Sequence, residues 1–168
     1  MSAVQRECGA CAACCFIPAV PELGKSVYQD CAHSRVKLGR PLPLLAAAPS
    51  AAGCEIYAGR PTACRDYRCL WLDDAVGEEQ DRPDALGLMF DLPSSVQDHP
   101  DYAGIQVVCA REVRRGARDG ARAAGMLTRL AGTFVVRVTD PGGRTVLMGP
   151  RAAIELLARR AAARQAEA

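Results

Sequence analysis

The sequence predicts an α+β fold in which an irregular cysteine-rich lobe packs on a small, mostly antiparallel sheet with two helices. Eight of the nine cysteines lie before residue 70, in a segment that prolines interrupt and that lacks sustained hydrophobic periodicity. Beyond residue 80 the predicted elements follow the order strand, strand, helix, strand, strand, helix. The 168 residues are expected to form one compact unit, with residues 1–80 as the lobe and residues 81–168 as the α+β portion.

The N-terminal portion is expected to consist of loops and short helices. Repeated prolines end any longer element, so helices are predicted only at residues 27–38 and 63–72. Such a segment buries limited aliphatic surface. A bound metal would then contribute stability that the core does not, since structural zinc is worth about 10–16 kcal/mol in small peptides.

The C-terminal portion carries clearer signals. Four apolar segments have strand character, and the last two flank an Asp-Pro-Gly-Gly-Arg turn. Pro150 occupies a position that favours a helix start. The expected strands are 86–92, 105–113, 134–139 and Thr145–Met148, and the expected helices are 117–131 and the segment after Pro150. This order suggests a mostly antiparallel sheet with the helices on one face.

Composition and charge exclude several classes of function. The net charge of +2 is too small to indicate a nucleic-acid partner. No apolar signal region precedes the first cysteine, and the apolar stretch at residues 42–52 is too short and proline-interrupted to span a bilayer. We therefore expect a cytoplasmic protein with no membrane partner. A reducing compartment and an odd cysteine count favour metal ligation over disulfides.

The main candidate site is a set of eight thiols. Thiolate ligands select zinc, iron–sulfur clusters or cuprous copper over magnesium and calcium. The first three cysteines have the spacing of a ferredoxin, which fits a [4Fe–4S] cluster. Zinc more often takes two ligands from each of two separate segments, and Cys64 and Cys69 supply a second pair, so zinc fits as well. The predicted metal ligands are Cys8, Cys11, Cys14, Cys15, Cys31, Cys54, Cys64 and Cys69. Two four-thiol zinc sites, one cubane plus one zinc, and one site with spare cysteines all remain compatible with the sequence.

Several polar residues accompany these thiols. His33 is an alternative imidazole ligand, but a surface or capping role is favoured because eight thiols already fill the ligand count. Arg60, Arg65 and Arg68 either stabilise the negative charge of the metal–thiolate site or are ordinary solvated charges. Tyr57 and Tyr67 either donate hydrogen bonds to sulfur or only pack in the fold.

The cysteine pattern also resembles a known family. Cys8-x2-Cys11-x2-Cys14-Cys15 is followed by Gly53-Cys54-Glu-Ile-Tyr57-x2-Arg60-Pro61-x2-Cys64-Arg65-x-Tyr67-x-Cys69. This combined motif is similar to that of the bacterial YkgJ-like cysteine-cluster proteins, which are described as a zinc- or iron-chelating domain. The resemblance implies a metal-ligand role for the eight cysteines. Flagellin lysine N-methylases, a related branch with an iron–sulfur centre, are similar in the cluster but much longer, so nothing beyond the ligand role is carried over.

No catalytic residue is assigned from the sequence. Cys109, the ninth cysteine, lies on an alternating strand and is predicted to be a buried, inert thiol. No phosphate loop or dinucleotide fingerprint is present. Eight thiols allow closed coordination, which favours a metal-binding protein whose α+β portion presents a surface to an unknown protein or small-molecule partner. The alternatives are an iron–sulfur-dependent group-transfer or redox enzyme, and a metal chaperone or sensor.

Overall fold

The computed structural model describes residues 6–8, 11–38 and 53–167, and a mixed sheet lies at its centre. The strands of this sheet are β1 (Leu88–Asp91), β2 (Val107–Glu112), β3 (Val135–Thr139) and β4 (Thr145–Met148), in that spatial order. β1 pairs antiparallel with β2, and β3 pairs antiparallel with β4. β2 and β3 are parallel, because the helix between them carries the chain back before it enters β3. The predicted α+β class and element order are confirmed.

The helices are short in the cysteine-rich part and longer near the C-terminus. They are α1 (Ala13–Phe16), α2 (Thr62–Asp66), α3 (Pro83–Leu86), α4 (Ser94–Gln97), α5 (Ala121–Ala131) and α6 (Arg151–Glu167). Single 3₁₀ turns occur at Pro21–Leu23, Tyr57–Gly59, Glu79–Asp81, Pro100–Tyr102 and Ala117–Asp119. The predicted helix at 117–131 therefore divides into a 3₁₀ turn and α5, with Gly120 between them.

Two helix predictions in the cysteine-rich part were wrong or too long. Residues 27–38 form turns rather than a helix, because Tyr28 adopts a positive φ of 55° and the Cys31 amide donates to the distant Cys15 carbonyl at 3.0 Å. The helix expected at 63–72 ends at Asp66, where the chain becomes extended at Tyr67. In both places, contacts with other parts of the chain replace the local helical hydrogen bonds.

The two faces of the sheet are covered by different elements. One face packs against Ala123, Met126 and Leu127 of α5. The other face is shared, because α6 covers one part of it through Leu157 and the cysteine-rich segment covers another through Phe16. The residues on the α5 face are Leu88, Phe90, Val108, Ala110, Val136 and Val138, and those on the opposite face include Met89, Val107, Cys109, Val113 and Val135. The helices thus lie on both faces of the sheet, not on one as expected.

No helix in the described ranges is long and apolar enough to cross a membrane. The apolar stretch at residues 42–52 lies outside the described residues. Cys109 is 1% exposed, which confirms its predicted burial.

Candidate metal centre

A pocket beside the sheet gathers cysteines from distant parts of the sequence. Its cavity has a volume of about 280 Å³. The predicted ligands that line it are Cys8, Cys11, Cys14, Cys15, Cys31, Cys54 and Cys64. Cys69 does not line the cavity; it is buried at 9% exposure in an apolar cluster against which Cys11 also packs. Folding therefore brings seven of the eight predicted ligands around one cavity and places the eighth next to it.

The N-terminal cysteines are positioned by one backbone hydrogen bond and by α1. The Cys11 amide donates to the Cys8 carbonyl at 2.9 Å, which holds these two residues close together. α1 then carries Cys14 and Cys15 in a single helical turn. Ala13 in the same turn is 1% exposed, so its small side chain lets the backbone of α1 pack close to the core.

Of the remaining cavity cysteines, Cys31 is joined to the first group by a backbone hydrogen bond, Cys54 is linked to the segment after Cys31, and Cys64 is held within its own short helix. The Cys31 amide donates to the Cys15 carbonyl at 3.0 Å. Cys54 forms an isolated antiparallel bridge with Ser34, only three residues beyond Cys31. Cys64 lies on α2. Its amide donates a hydrogen bond to the Pro61 carbonyl at 3.0 Å, which closes the first turn of this helix.

The thiols differ in their protonation because their surroundings differ. Burial raises the pKa of Cys11 to about 12, and burial also raises the pKa values of Cys8, Cys64 and Cys69. Cys15 is the exception. A hydrogen bond from the Cys14 thiol, together with Ser34 and the charge of Lys25, lowers the pKa of Cys15 to about 7 against the opposing effect of burial. Among the cavity thiols whose pKa is shifted, Cys15 is therefore the one most readily converted near neutral pH to the thiolate, the form that ligates metal.

Lys25 lines the cavity and is 5% exposed. Its ammonium group donates to the backbone carbonyls of Phe16 at 2.9 Å and Ser26 at 3.2 Å, and to that of Pro18. Three acceptors match the three donors of a protonated amine. Burial lowers the pKa of Lys25, while neighbouring thiolates, led by Cys31, act in the opposite direction. Sequence reasoning missed this residue, although Lys25 is one of only two lysines in an arginine-rich chain.

Of the three arginines singled out in the sequence, one lines the cavity. Arg60 stacks on the Tyr57 ring, with its guanidinium carbon 4.0 Å from the ring centroid, and both residues line the cavity wall. Arg65 is exposed and donates to a threonine hydroxyl, and Arg68 is exposed and pairs with an aspartate. His33 is partly buried, is not among the residues that line the cavity, and accepts a backbone hydrogen bond at its carbonyl.

Tyr67 connects the cavity wall to a buried ion pair in the sheet. Its side chain lines the cavity, and its hydroxyl donates to Asp91 at 2.9 Å. The Arg111 guanidinium contacts the two Asp91 carboxylate oxygens at 3.1 and 3.2 Å. Burial raises the pKa of Asp91, and Arg111 partly opposes this effect. Asp91 was not singled out in the sequence, and its ion pair with Arg111 was not predicted; the signal available was a carboxylate inside the apolar segment that forms β1.

The donor chemistry fits a thiophilic metal, since the cavity is lined by seven thiols and one buried ammonium group. However, within the described ranges no group of three or more His, Cys, Asp or Glu side chains is arranged so that it could hold a metal ion. Zinc–sulfur bonds are about 2.3 Å long, so the sulfur atoms would have to converge further on any ion they share.

Comparisons with known proteins found no matching family model, no matching curated protein and no matching solved structure. The resemblance to YkgJ-like proteins therefore stays a prediction.

Proposed function

We propose that this protein binds a thiophilic metal, either zinc or an iron–sulfur cluster, through its cysteine-lined cavity. The observation that carries the proposal is that one cavity is lined by seven cysteines, four from residues 8–15 and three from the more distant Cys31, Cys54 and Cys64. Thiolate sulfur is the ligand type that zinc, iron–sulfur clusters and cuprous copper prefer.

The charges around the cavity support the proposal. Four thiolates on one divalent ion carry a net charge of minus two, so nearby cations stabilise such a site. Lys25 and Arg60 both line the cavity. A buried ammonium group is costly unless it is compensated, and anionic metal–thiolate groups beside Lys25 would compensate it.

The role we propose for the metal is mainly structural. Among the described elements of the cysteine-rich part, the longest helix is α2, with five residues. Metal ligation would cross-link these short pieces and hold them against the sheet at Met89 and Val113. The α+β portion would then be free to present a surface to a protein or small-molecule partner.

Metal analysis of anaerobically purified full-length protein tests the proposal. We expect either stoichiometric zinc in a colourless sample, or iron with acid-labile sulfide in a brown sample that bleaches on oxidation. Cys8→Ser and Cys64→Ser should each lower the metal content, because each removes a cavity thiol. Cys109→Ala is the matched control, since it removes a thiol buried outside the cavity, and it should leave the metal content unchanged. Unchanged metal content in both serine variants would rule out the ligand assignment.

A second candidate function is an iron–sulfur-dependent group-transfer or redox enzyme. One observation favours it: the cavity volume of about 280 Å³ lies near the lower end of the range for small-molecule pockets, about 300–1,000 Å³, and its wall includes Val20, Leu23 and Ile56. A small organic molecule would therefore have room beside a metal. The same sample separates the two functions, because stoichiometric zinc without iron excludes this enzyme. Rapid metal exchange with a folded metal-free form would instead indicate a chaperone or sensor.

A further inference from the structure

We infer that Arg6 is a positioning residue that holds Cys8 at the cavity, an inference that rests on the metal binding proposed above. Arg6 lies two residues before Cys8, and its side chain reaches the loop at residues 71–77. This contact fastens the segment that carries Cys8 to the body of the fold. Residues outside a coordination shell commonly orient the ligands within it, and this is the role that Arg6 has for Cys8.

The Arg6 guanidinium is held by backbone carbonyls that converge on it. It donates to the carbonyl of Trp71 at 2.8 Å, to that of Val76 at 3.3 Å and to that of Gly77 at 2.8 Å. It also pairs with the Asp74 carboxylate and lies over the Trp71 ring, 5.3 Å from the ring centroid. These contacts leave the Arg6 side chain 7% exposed. The planar fork of donors in a guanidinium suits several acceptors at once.

The loop that receives Arg6 is itself fixed on the core. Trp71 is 4% exposed and packs with Ala13 of α1 and Met89 of β1 in one apolar cluster. The indole N–H of Trp71 donates to the Glu78 carbonyl at 2.8 Å, just beyond the end of the loop. Arg6 therefore connects residues 6–8 to the sheet through Trp71.

The position of Cys8 depends on this contact. Cys8 lines the cavity although the residue is exposed. In the described ranges, the hydrogen bonds that join residues 6–8 to the rest of the chain are those of Arg6 and the one from the Cys11 amide to the Cys8 carbonyl. Because packing contributes little to the position of an exposed residue, the attachment two residues earlier largely sets where the Cys8 thiol lies.

The same contact joins the two ends of the cysteine cluster. Arg6 precedes Cys8 by two residues, and Trp71 follows Cys69 by two residues. Arg6 and Trp71 are 65 residues apart in the sequence. Cys69 packs in the same apolar cluster as Trp71. One arginine thus brings the segment with the first predicted ligand to the segment with the last.

Zinc titration of the reduced, metal-stripped full chain tests the inference, with a colorimetric chelator as competitor. Arg6→Met removes the charge and the N–H donors, and we expect it to weaken zinc binding by about 10- to 100-fold, the range typical when a residue that orients a metal ligand is lost. Arg160→Met is the matched control. Arg160 also donates to two loop carbonyls, at 2.6 and 2.9 Å, but it lies on α6 and does not line the cavity. This control should bind zinc as tightly as the wild type.

A double-mutant cycle with Cys8→Ser separates positioning from general stability. If Arg6 acts through Cys8, Arg6→Met should cause no more than about a twofold further loss of zinc affinity in the Cys8→Ser background. An equal loss in both backgrounds, or a similar loss in Arg160→Met, would show that Arg6 only stabilises the fold, and would overturn the inference.

Trp71 reports the contact without any metal, because it is the single tryptophan of the chain. Arg6→Met should shift the tryptophan emission to longer wavelength and increase its quenching by acrylamide, since the ring loses the guanidinium that lies over it. Arg160→Met should leave the emission and the quenching unchanged. Wild-type emission and quenching in a folded Arg6→Met variant would overturn the inference.

A measurement on the wild-type chain covers the case in which Arg6→Met fails to fold. Trypsin cleaves after an arginine whose side chain can enter its specificity pocket. The side chain of Arg6 is 7% exposed, whereas that of Arg35, which also lies outside the helices and strands, is 62% exposed. Initial cleavage after Arg6 should therefore be slower than after Arg35. Equal or faster cleavage after Arg6 would show that the contact is not held in solution.

Failure of this inference is distinguishable from failure of the proposed function. A wild-type chain that binds zinc with an affinity that Arg6→Met leaves unchanged would overturn the role of Arg6 and leave metal binding standing. A wild-type chain that binds neither zinc nor iron would refute the proposed function and, with it, the inference.

Discussion

Removal of the Arg111 guanidinium should destabilise the fold through the buried Asp91. Asp91 is 4% exposed, and its only ion-pair partner among the described residues is Arg111, at 3.1 Å. Coulomb's law at that distance gives about 5 kcal/mol for an effective dielectric constant of about 20. Removal of one partner of a buried ion pair typically costs about 3–5 kcal/mol, because the other charge stays buried without compensation. We therefore expect Arg111→Met to lower the free energy of unfolding by about 3–5 kcal/mol near neutral pH.

The pH dependence of this loss follows from the pKa of Asp91. Burial raises the pKa of Asp91 in the folded protein, so the folded state binds this proton more tightly than the unfolded chain does. The contribution of Asp91 to the stability of the folded protein therefore falls as the pH rises through its raised pKa. Without Arg111 the pKa should rise further. The loss in Arg111→Met should then be largest near neutral pH and should shrink on acidification, where a protonated Asp91 needs no counter-charge.

Denaturant unfolding of the wild type, the single variant and the double variant Asp91→Asn/Arg111→Met measures these effects. The double variant should recover most of the lost stability, because asparagine carries no charge and still accepts the Tyr67 hydroxyl hydrogen bond. A loss that is independent of pH, or that the double variant fails to recover, would show that the guanidinium acts through packing and not through charge.

Two further predictions concern the region around the sheet. The hydrogen bond from Arg122 lowers the pKa of the buried Asp81, so its contribution to stability is complete above the ordinary aspartate pKa of about 4 and is lost as the pH falls through the lowered value. Denaturant unfolding should therefore show that the stability advantage of the wild type over Asp81→Asn is smaller in acid than at neutral pH. An equal advantage in acid and at neutral pH would contradict this role of Asp81. Gly87 has a φ of 82°, and an added Cβ would lie 2.7 Å from the Ala117 Cβ, so Gly87→Ala should lower the melting temperature more than Gly104→Ala, which has a similar φ and open space. The unfavourable φ alone costs about 1–2 kcal/mol, and equal melting temperatures would show that the contact relaxes without cost.

The strands and long helices were predictable because their signals are local. The Asp-Pro-Gly-Gly-Arg segment and its flanking apolar residues predicted β4 with bounds that the structure reproduces, Thr145–Met148. α6 begins at Arg151, directly after Pro150. The parallel pairing of β2 and β3 was not predicted, since parallel and antiparallel partners share the same alternating pattern. The position of α6 on the second face depends on contacts such as Leu157 with Val135, which no local pattern encodes.

The short helices were harder to predict because long-range contacts decide them. At residues 27–38 the local sequence tolerates a helix, but the hydrogen bond from the Cys31 amide to Cys15 takes the place of a helical one. Lys25 likewise carries no local signal of burial. It becomes buried because three carbonyls, at Phe16, Pro18 and Ser26, converge on its ammonium group in the folded chain.

The sequence by itself determined the chemistry of the candidate site, because residue type alone decides that eight clustered cysteines offer thiolate ligands and exclude hard cations. Only the tertiary structure decided which thiols are neighbours. Cys54 and Cys64 are ten residues apart, and the fold brings both to the cavity that Cys15 and Cys31 also line. The physical reason is that distances in sequence and in space are related only within a helical turn or a strand, and the cysteine-rich part consists mainly of loops between such elements.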